Sequence, residues 1–135
     1  MDEKRMAYGF AFERMSRAFD AGYFIEVIAI AESVLSDQLD SHLKRTGEPV
    51  AGRRTFFDLI KAARSGAQAL NTDVLDRVDK WRDARNKAIH AVVKVDESEP
   101  TGNPGRVFLD RVRVVAEQGM ALAEDFRKAA AEAGH

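Results

Sequence analysis

Hydrophobic side chains recur every three or four positions along most of this chain, which is the spacing of one face of an α-helix. The clearest repeat comprises Phe24, Val27, Ile28, Ala31, Val34, Leu35, Gln38, Leu39 and His42. The two-residue alternation of a β-strand is missing, and so are the Asn-Gly and Asp-Gly pairs of hairpins. The pattern predicts an all-α protein.

Glycine and proline divide this pattern into five helices. The predicted helices run from about Asp2 to Ala21, from Tyr23 to Arg45, from the capping residue Thr55 to Ser65, from the capping residue Thr72 to Val95, and from Arg106 to Ala131. A loop is expected at 96–105. Short connections favour antiparallel neighbours, so we expect a four-helix antiparallel bundle with one extra short helix, as a single domain over residues 1–135.

Composition narrows the class of protein. Hydrophobic residues make up 45% of the chain, and no run approaches the roughly 20 apolar residues of a membrane span. The first residues, "MDEKRMAYGF", lack the apolar core of a signal peptide, so a cytoplasmic location is expected. The absence of cysteine excludes disulfides and thiolate metal sites. Because the net charge is -1, any contact with nucleic acid must depend on a local basic patch.

The segment "WRDARNKAIHAVV", residues 81–93, places three polar residues within an apolar helical stripe. Asn86 and His90 are four positions apart and share one face of the helix. Arg85 precedes His90 by five positions, which in an ideal helix is about 140° around the axis and roughly 7.5 Å along it. Arg85 also follows Val78 by seven positions, so it lies on the apolar stripe and must reach a partner, a groove or a subunit interface.

The run "RNKAIH" resembles the R-polar-x-x-x-H motif of HEPN (higher eukaryotes and prokaryotes nucleotide-binding) domains. These domains are helical bundles of four or five helices with the motif on a late helix. The second predicted helix, "YFIEVIAIAESVLSDQLD", is similar to the long helix of the family that places acidic and small residues opposite the motif.

The resemblance implies a metal-independent endoribonuclease, such as a toxin or antiviral defence effector, that cleaves RNA at a composite site in a homodimer. His90 would exchange a proton with the attacking 2′-hydroxyl or the leaving oxygen, because an imidazole titrates near neutral pH. Arg85 would hold the phosphate, and Asn86 would orient His90 or contact the phosphate. Cofactors and metals are not implied. An antitoxin partner is implied, although Val92 occupies the position at which some toxins of the family carry a tyrosine that their antitoxin modifies.

A carboxylate on the second helix would fix Arg85 in place. Glu32 is the preferred candidate over Glu26 and Asp37, because it lies among the apolar and small positions Ile28, Ala31 and Leu35; the alternative is an ordinary exposed glutamate. The candidate contacts for the RNA backbone beside the motif are Arg82, Lys87 and Lys94. Further cations occur at Arg53, Arg54, Lys61, Arg64, Arg106, Arg111 and Arg113, where a solvated charged face is an equal explanation.

Two further sequence features have two readings each. Trp81 would stack on a base or, as is commoner on an apolar stripe, belong to the core. His42 lies near the C-terminal end of the second helix, where a histidine interacts favourably with the helix dipole. Neither His42 nor His90 has a further ligand at metal-binding spacing, so no metal site is predicted.

Three hypotheses follow for the whole chain. It is a HEPN-like ribonuclease, a HEPN-like module that binds RNA, nucleotides or proteins without cleavage, or a helical interaction protein in which Arg85 and His90 form a buried polar network.

Overall fold

The computed structural model describes residues 3–47, 55–65, 72–90 and 104–132. Within these ranges, the chain forms α-helices, with turns at residues 21–22 and 46–47, and contains no strand. The helices are α1 (Glu3–Asp20), α2 (Phe24–Arg45), α3 (Phe56–Ser65), α4 (Thr72–His90) and α5 (Pro104–Glu132). The prediction of an all-α chain with four long helices and one short helix is confirmed.

A tight turn at Gly22 separates α1 from α2, as the sequence predicts. Tyr23 N donates to Ala18 O at 2.8 Å, and Gly22 N donates to Phe19 O at 3.0 Å. These are the two hydrogen bonds of a Schellman motif, and Gly22 supplies the left-handed residue with φ of +84°. The motif satisfies the last carbonyls of α1 and lets the chain turn back at once into α2.

The central helix of the fold is α2, which packs against α5, α1 and α3. Its predicted apolar face is buried, and the polar residues Gln38 and His42 are buried with it. Because α4 packs against α3 and α5, the motif helix is joined to α2 through both of these neighbours. Gly47, with φ of +76°, follows the end of α2.

A capping box starts α3. Asp58 N donates to Thr55 Oγ1 at 3.1 Å, while Thr55 N donates to Asp58 Oδ2 at 3.3 Å. This reciprocal pair satisfies backbone donors that the first turn of a helix leaves without partners. The predicted cap at Thr55 is therefore confirmed, and it fixes where Phe56 begins the helix.

Trp81 anchors α4 to α5. Its side chain is buried, its Nε1 donates to Val115 O at 2.9 Å, and its ring meets Phe56 edge-on at 6.3 Å. Gly119 allows this approach, because a Cβ at that position would lie 2.7 Å from Cζ2 of Trp81. Of the two readings of Trp81, the core residue is confirmed.

The loop expected at 96–105 ends early, because Pro104 and Gly105 already belong to α5. Proline suits the first turn of a helix, where its missing N–H has no intrahelical acceptor. The remainder of that loop, and the predicted end of the fourth helix at Val95, lie outside the described residues.

None of the helices in the described part of the chain combines the length and the apolar character that a bilayer span requires.

Candidate functional site

Arg85 lies on the core-facing side of α4. It follows Val78 and Trp81 in the helical repeat, and both of these side chains are buried. Only 20% of the Arg85 side chain is exposed, so the guanidinium sits at the boundary between core and solvent. A cation there needs a partner because its desolvation is costly.

Glu32 on α2 is that partner. Nη1 of Arg85 donates a hydrogen bond to Oε1 of Glu32, whose side chain is 30% exposed. The contact predicted from the register of α2 is therefore present. The supporting role of Glu32 in a reaction stays a prediction.

Phe56 on α3 lies on another side of Arg85. The guanidinium carbon is 5.9 Å from the centroid of the Phe56 ring, within the range of a cation–π contact. Nε of Arg85 is buried and meets no acceptor among the described residues. Burial lowers the pKa of Arg85 from its ordinary value, but a guanidinium remains protonated at physiological pH. Arg85 is thus a fixed positive charge positioned by α2 and α3.

The surroundings of His90 and Asn86 differ from those of Arg85. His90 is exposed in the last described turn of α4, and Asn86, one turn earlier on the same face, is half-buried. Because Arg85 points to α2 and α3, the two functional groups of the motif do not share one buried pocket. The hypothesis of a buried polar network formed by Arg85 and His90 is wrong for His90, which lies on the surface.

Two of the three predicted backbone-binding cations near the motif already have carboxylate partners within α4. Lys87 forms an ion pair with Asp83 at 3.0 Å, and Arg82 with Asp79 at 3.1 Å. Lys94 lies outside the described residues. Nucleic-acid contact by these side chains stays a prediction. Lys87 and Arg82 would each have to exchange a carboxylate partner for a phosphate.

The wider set of basic residues is also interleaved with acids. Arg64 pairs with Asp76 at 2.8 Å, and Arg113 pairs with Glu117 at 3.5 Å. Arg53 and Arg54 are outside the described residues, as is the side chain of Arg106. The ion pairs of Arg64 and Arg113 are those of a solvated charged face, whereas contact of the wider set with nucleic acid stays a prediction.

Phe57 is a feature of this surface that the sequence interpretation missed. The residue is 45% exposed, with the Arg82 guanidinium carbon 4.8 Å and Lys61 Nζ 5.4 Å from its ring centroid. Its position outside the apolar repeat of α3 was the available signal. The approach of Arg82 could not be read from the sequence, because it depends on how α3 packs against α4.

A second polar cluster lies between α1 and α2. Tyr8 donates its hydroxyl to Asp37 Oδ2, and Lys4 lies 3.3 Å from the same carboxylate. Burial, then the hydrogen bond to Asp37, raises the pKa of Tyr8. The cluster borders an open cleft of about 590 Å³ whose lining includes none of the motif residues, so we assign the candidate site to α4 and not to this cleft.

Among residues 3–47, 55–65, 72–90 and 104–132, no group of three or more His, Asp or Glu side chains is arranged to hold a metal ion.

No protein-family model, curated protein or solved structure matches this chain. The resemblance to HEPN domains accordingly depends on Arg85, Asn86 and His90, together with the order of the helices. The geometry adds a guanidinium held half-buried between helices and an imidazole open to solvent further along the same helix.

Proposed function

We propose that this protein is a HEPN-like, metal-independent endoribonuclease whose active site forms between two copies of the chain. The observation that carries the proposal is the division of the motif on α4. Arg85 is held by Glu32, whereas His90 is exposed. This combination provides a positioned positive charge and an accessible proton-transfer group, the two components that phosphodiester cleavage needs.

The reaction follows from the chemistry of these groups. The 2′-oxygen of the substrate attacks the adjacent phosphorus, the bond from phosphorus to the 5′-oxygen breaks, and a 2′,3′-cyclic phosphate and a 5′-hydroxyl result. His90 takes the proton of the 2′-hydroxyl while water protonates the leaving 5′-oxygen, or His90 protonates the leaving oxygen while water takes the 2′ proton. Arg85 stabilises the charge that builds on the phosphoryl oxygens, and Asn86 orients His90 or the phosphate.

A dimer solves the geometric problem that α4 presents. Arg85 and His90 are separated by about 140° around the axis of one helix, so a single chain does not aim both at one phosphate easily. In a two-fold dimer, Arg85 of one copy meets His90 of the other, and each interface contains two such pairs. The antiparallel HEPN-like bundle is the fold that we propose for this arrangement.

The biological setting that the resemblance implies is defence or a toxin–antitoxin pair in the cytoplasm. Cleavage of cellular RNA by such an effector has to be restrained, and an antitoxin partner is the proposed restraint. Val92 takes the place of the tyrosine that some antitoxins of this family modify, so the restraint proposed here is binding and not modification at that position.

A second candidate is a HEPN-like module that binds RNA without cleaving it. The Glu32 carboxylate favours this alternative, because it occupies a donor of Arg85 that a catalytic guanidinium would offer to a phosphate. The two candidates share the surface around α4 and differ in whether His90 acts on the substrate.

The test is cleavage of a single-stranded RNA pool in the presence of EDTA by the wild-type protein and by Arg85→Ala and His90→Ala. We expect the wild type to release 2′,3′-cyclic phosphate ends, and each variant to lose at least about a hundredfold in rate. The matched control is Arg77→Ala, which removes an exposed α4 arginine that pairs with Asp125 at 2.8 Å on α5. A 2′-O-methyl version of the RNA should resist cleavage. Binding without cleavage would support the second candidate.

A further inference from the structure

Phe57 is an exposed aromatic ring with two cations over it. The Arg82 guanidinium carbon is 4.8 Å and Lys61 Nζ is 5.4 Å from the ring centroid, while the residue remains 45% exposed. Its neighbours on the apolar face of α3, Phe56 and Leu59, are buried. Phe57 therefore contributes little to the core, and two charged groups contact its ring.

The ring also lies next to the motif. Two consecutive residues at the start of α3, Phe56 and Phe57, each face an arginine of α4, namely Arg85 and Arg82. Arg82 and Arg85 are three positions apart, about 4.5 Å along the helix axis. Arg82, whose guanidinium contacts the exposed ring, is thus about one helical turn before Arg85, which is proposed to hold the phosphate.

We propose that Phe57, Lys61 and Arg82 form a subsite for one unpaired nucleobase of single-stranded RNA. This assignment rests on the proposed function for the position of the phosphate at Arg85. The base stacks on the open part of the Phe57 ring, and the two cations contact the flanking backbone. Bases inside a duplex are already stacked on one another, so the subsite selects single strands, loops and ends.

The charge balance of this surface favours stacking over bulk electrostatic attraction. Arg82 pairs with Asp79 at 3.1 Å, and Asp79 also lies 3.7 Å from Arg64. Because the Asp79 carboxylate offsets part of the positive charge of Arg82 and Arg64, the gain from a phosphate backbone alone is reduced here. Stacking of a base on the ring adds binding free energy that does not depend on the net charge of the surface, and every base has a π-face that can stack.

The experiment measures binding of a short fluorescein-labelled single-stranded RNA by fluorescence anisotropy, using catalytically disabled His90→Ala as the parent. Phe57→Leu keeps an exposed apolar side chain and removes the ring, whereas Phe57→Tyr keeps the ring. We expect Phe57→Leu to bind about tenfold more weakly and Phe57→Tyr to bind like the parent. Phe10→Leu is the matched control, because Phe10 is a 70% exposed phenylalanine on α1.

An abasic strand of the same length separates stacking from charge. The parent and Phe57→Leu should bind it equally, because it offers backbone phosphates without bases. The proposal is overturned if Phe57→Leu binds the base-bearing strand as the parent does. It is also overturned if Phe57→Leu and Phe57→Tyr weaken binding alike, if the loss is the same for the abasic strand, or if the parent binds no single-stranded RNA.

These outcomes are distinct from failure of the proposed function. Ring-dependent binding without any cleavage by the wild type would refute the ribonuclease and retain the base subsite. If Phe57→Leu cleaves RNA at the wild-type rate, and His90→Ala Phe57→Leu binds RNA as tightly as His90→Ala, the ribonuclease is retained and the subsite is refuted.

Discussion

Arg85 on α4 donates a hydrogen bond from Nη1 to Oε1 of Glu32 on α2. The two residues are 53 positions apart in the chain, so the pair joins helices that are distant in sequence. Both side chains are mostly buried, at 20% and 30% exposure. Each charge therefore depends on the other to offset its loss of hydration, and the pair is a direct polar contact between the motif helix and α2.

Replacement of Glu32 by glutamine should destabilise the protein, because it leaves the Arg85 charge without its counter-ion in a half-buried position. We expect the free energy of unfolding, measured by urea denaturation, to fall by about 1–3 kcal/mol. The matched control on the same helix is Glu26→Gln, whose partner Arg14 is 69% exposed. Exposed pairs contribute about 0–1 kcal/mol, so equal losses for the two variants would contradict the structural importance of the Arg85–Glu32 pair.

The sequence was sufficient to predict features that depend on local spacing. The five helices, the turn at Gly22 and the cap at Thr55 follow from the periodicity and from residue types with strong conformational preferences. The choice of Glu32 also follows from spacing, because its neighbours in the helical repeat of α2 are buried.

The features that sequence could not predict depend on packing between helices. The approach of Arg82 to Phe57 requires the contact between α3 and α4. The hydrogen bond from Tyr8 to Asp37 joins residues 29 positions apart on α1 and α2. The exposure of His90 is likewise a result of how α4 is rotated against its neighbours, which the motif spacing leaves open.

Gly119 provides a test of the contact between α4 and α5. A Cβ there would lie 2.7 Å from Cζ2 of Trp81 and 3.1 Å from Cβ of Ala31, both in the core. Gly119→Ala should lower the free energy of unfolding by about 1–3 kcal/mol despite the better helix propensity of alanine. Gly9→Ala is the control, because nothing lies within 4 Å of its added Cβ, and it should stabilise by about 0.5–1 kcal/mol. Stabilisation by both substitutions would show that the Trp81 ring is not packed as described.

Tyr8 should make the stability of the protein fall at alkaline pH. Its pKa is raised in the folded state, by burial first and then by Asp37, whereas the pKa of an unfolded tyrosine is about 10. Its contribution is therefore fully present below about pH 10 and declines above it, where the unfolded chain loses the proton and the folded chain keeps it.

The measurement compares wild type with Tyr8→Phe by urea denaturation at neutral pH and near pH 11. The wild type should be more stable by about 1 kcal/mol at neutral pH, because it keeps the hydrogen bond, and the difference should shrink at the higher pH. Tyr23→Phe, at an exposed tyrosine, controls for the substitution itself. A difference that grows with pH would contradict the raised pKa.

We propose that Arg85 of one copy and His90 of another act on the same phosphodiester. Arg85→Ala is mixed with His90→Ala, the dimers are dissociated and reassociated, and the rate of RNA cleavage in EDTA is measured. Each variant alone should be inactive, and the mixture should regain about one quarter of the wild-type rate, because random pairing in a two-fold dimer gives half heterodimers with one intact site of two. A mixture as inactive as its components, beside an active wild type, would contradict the composite site.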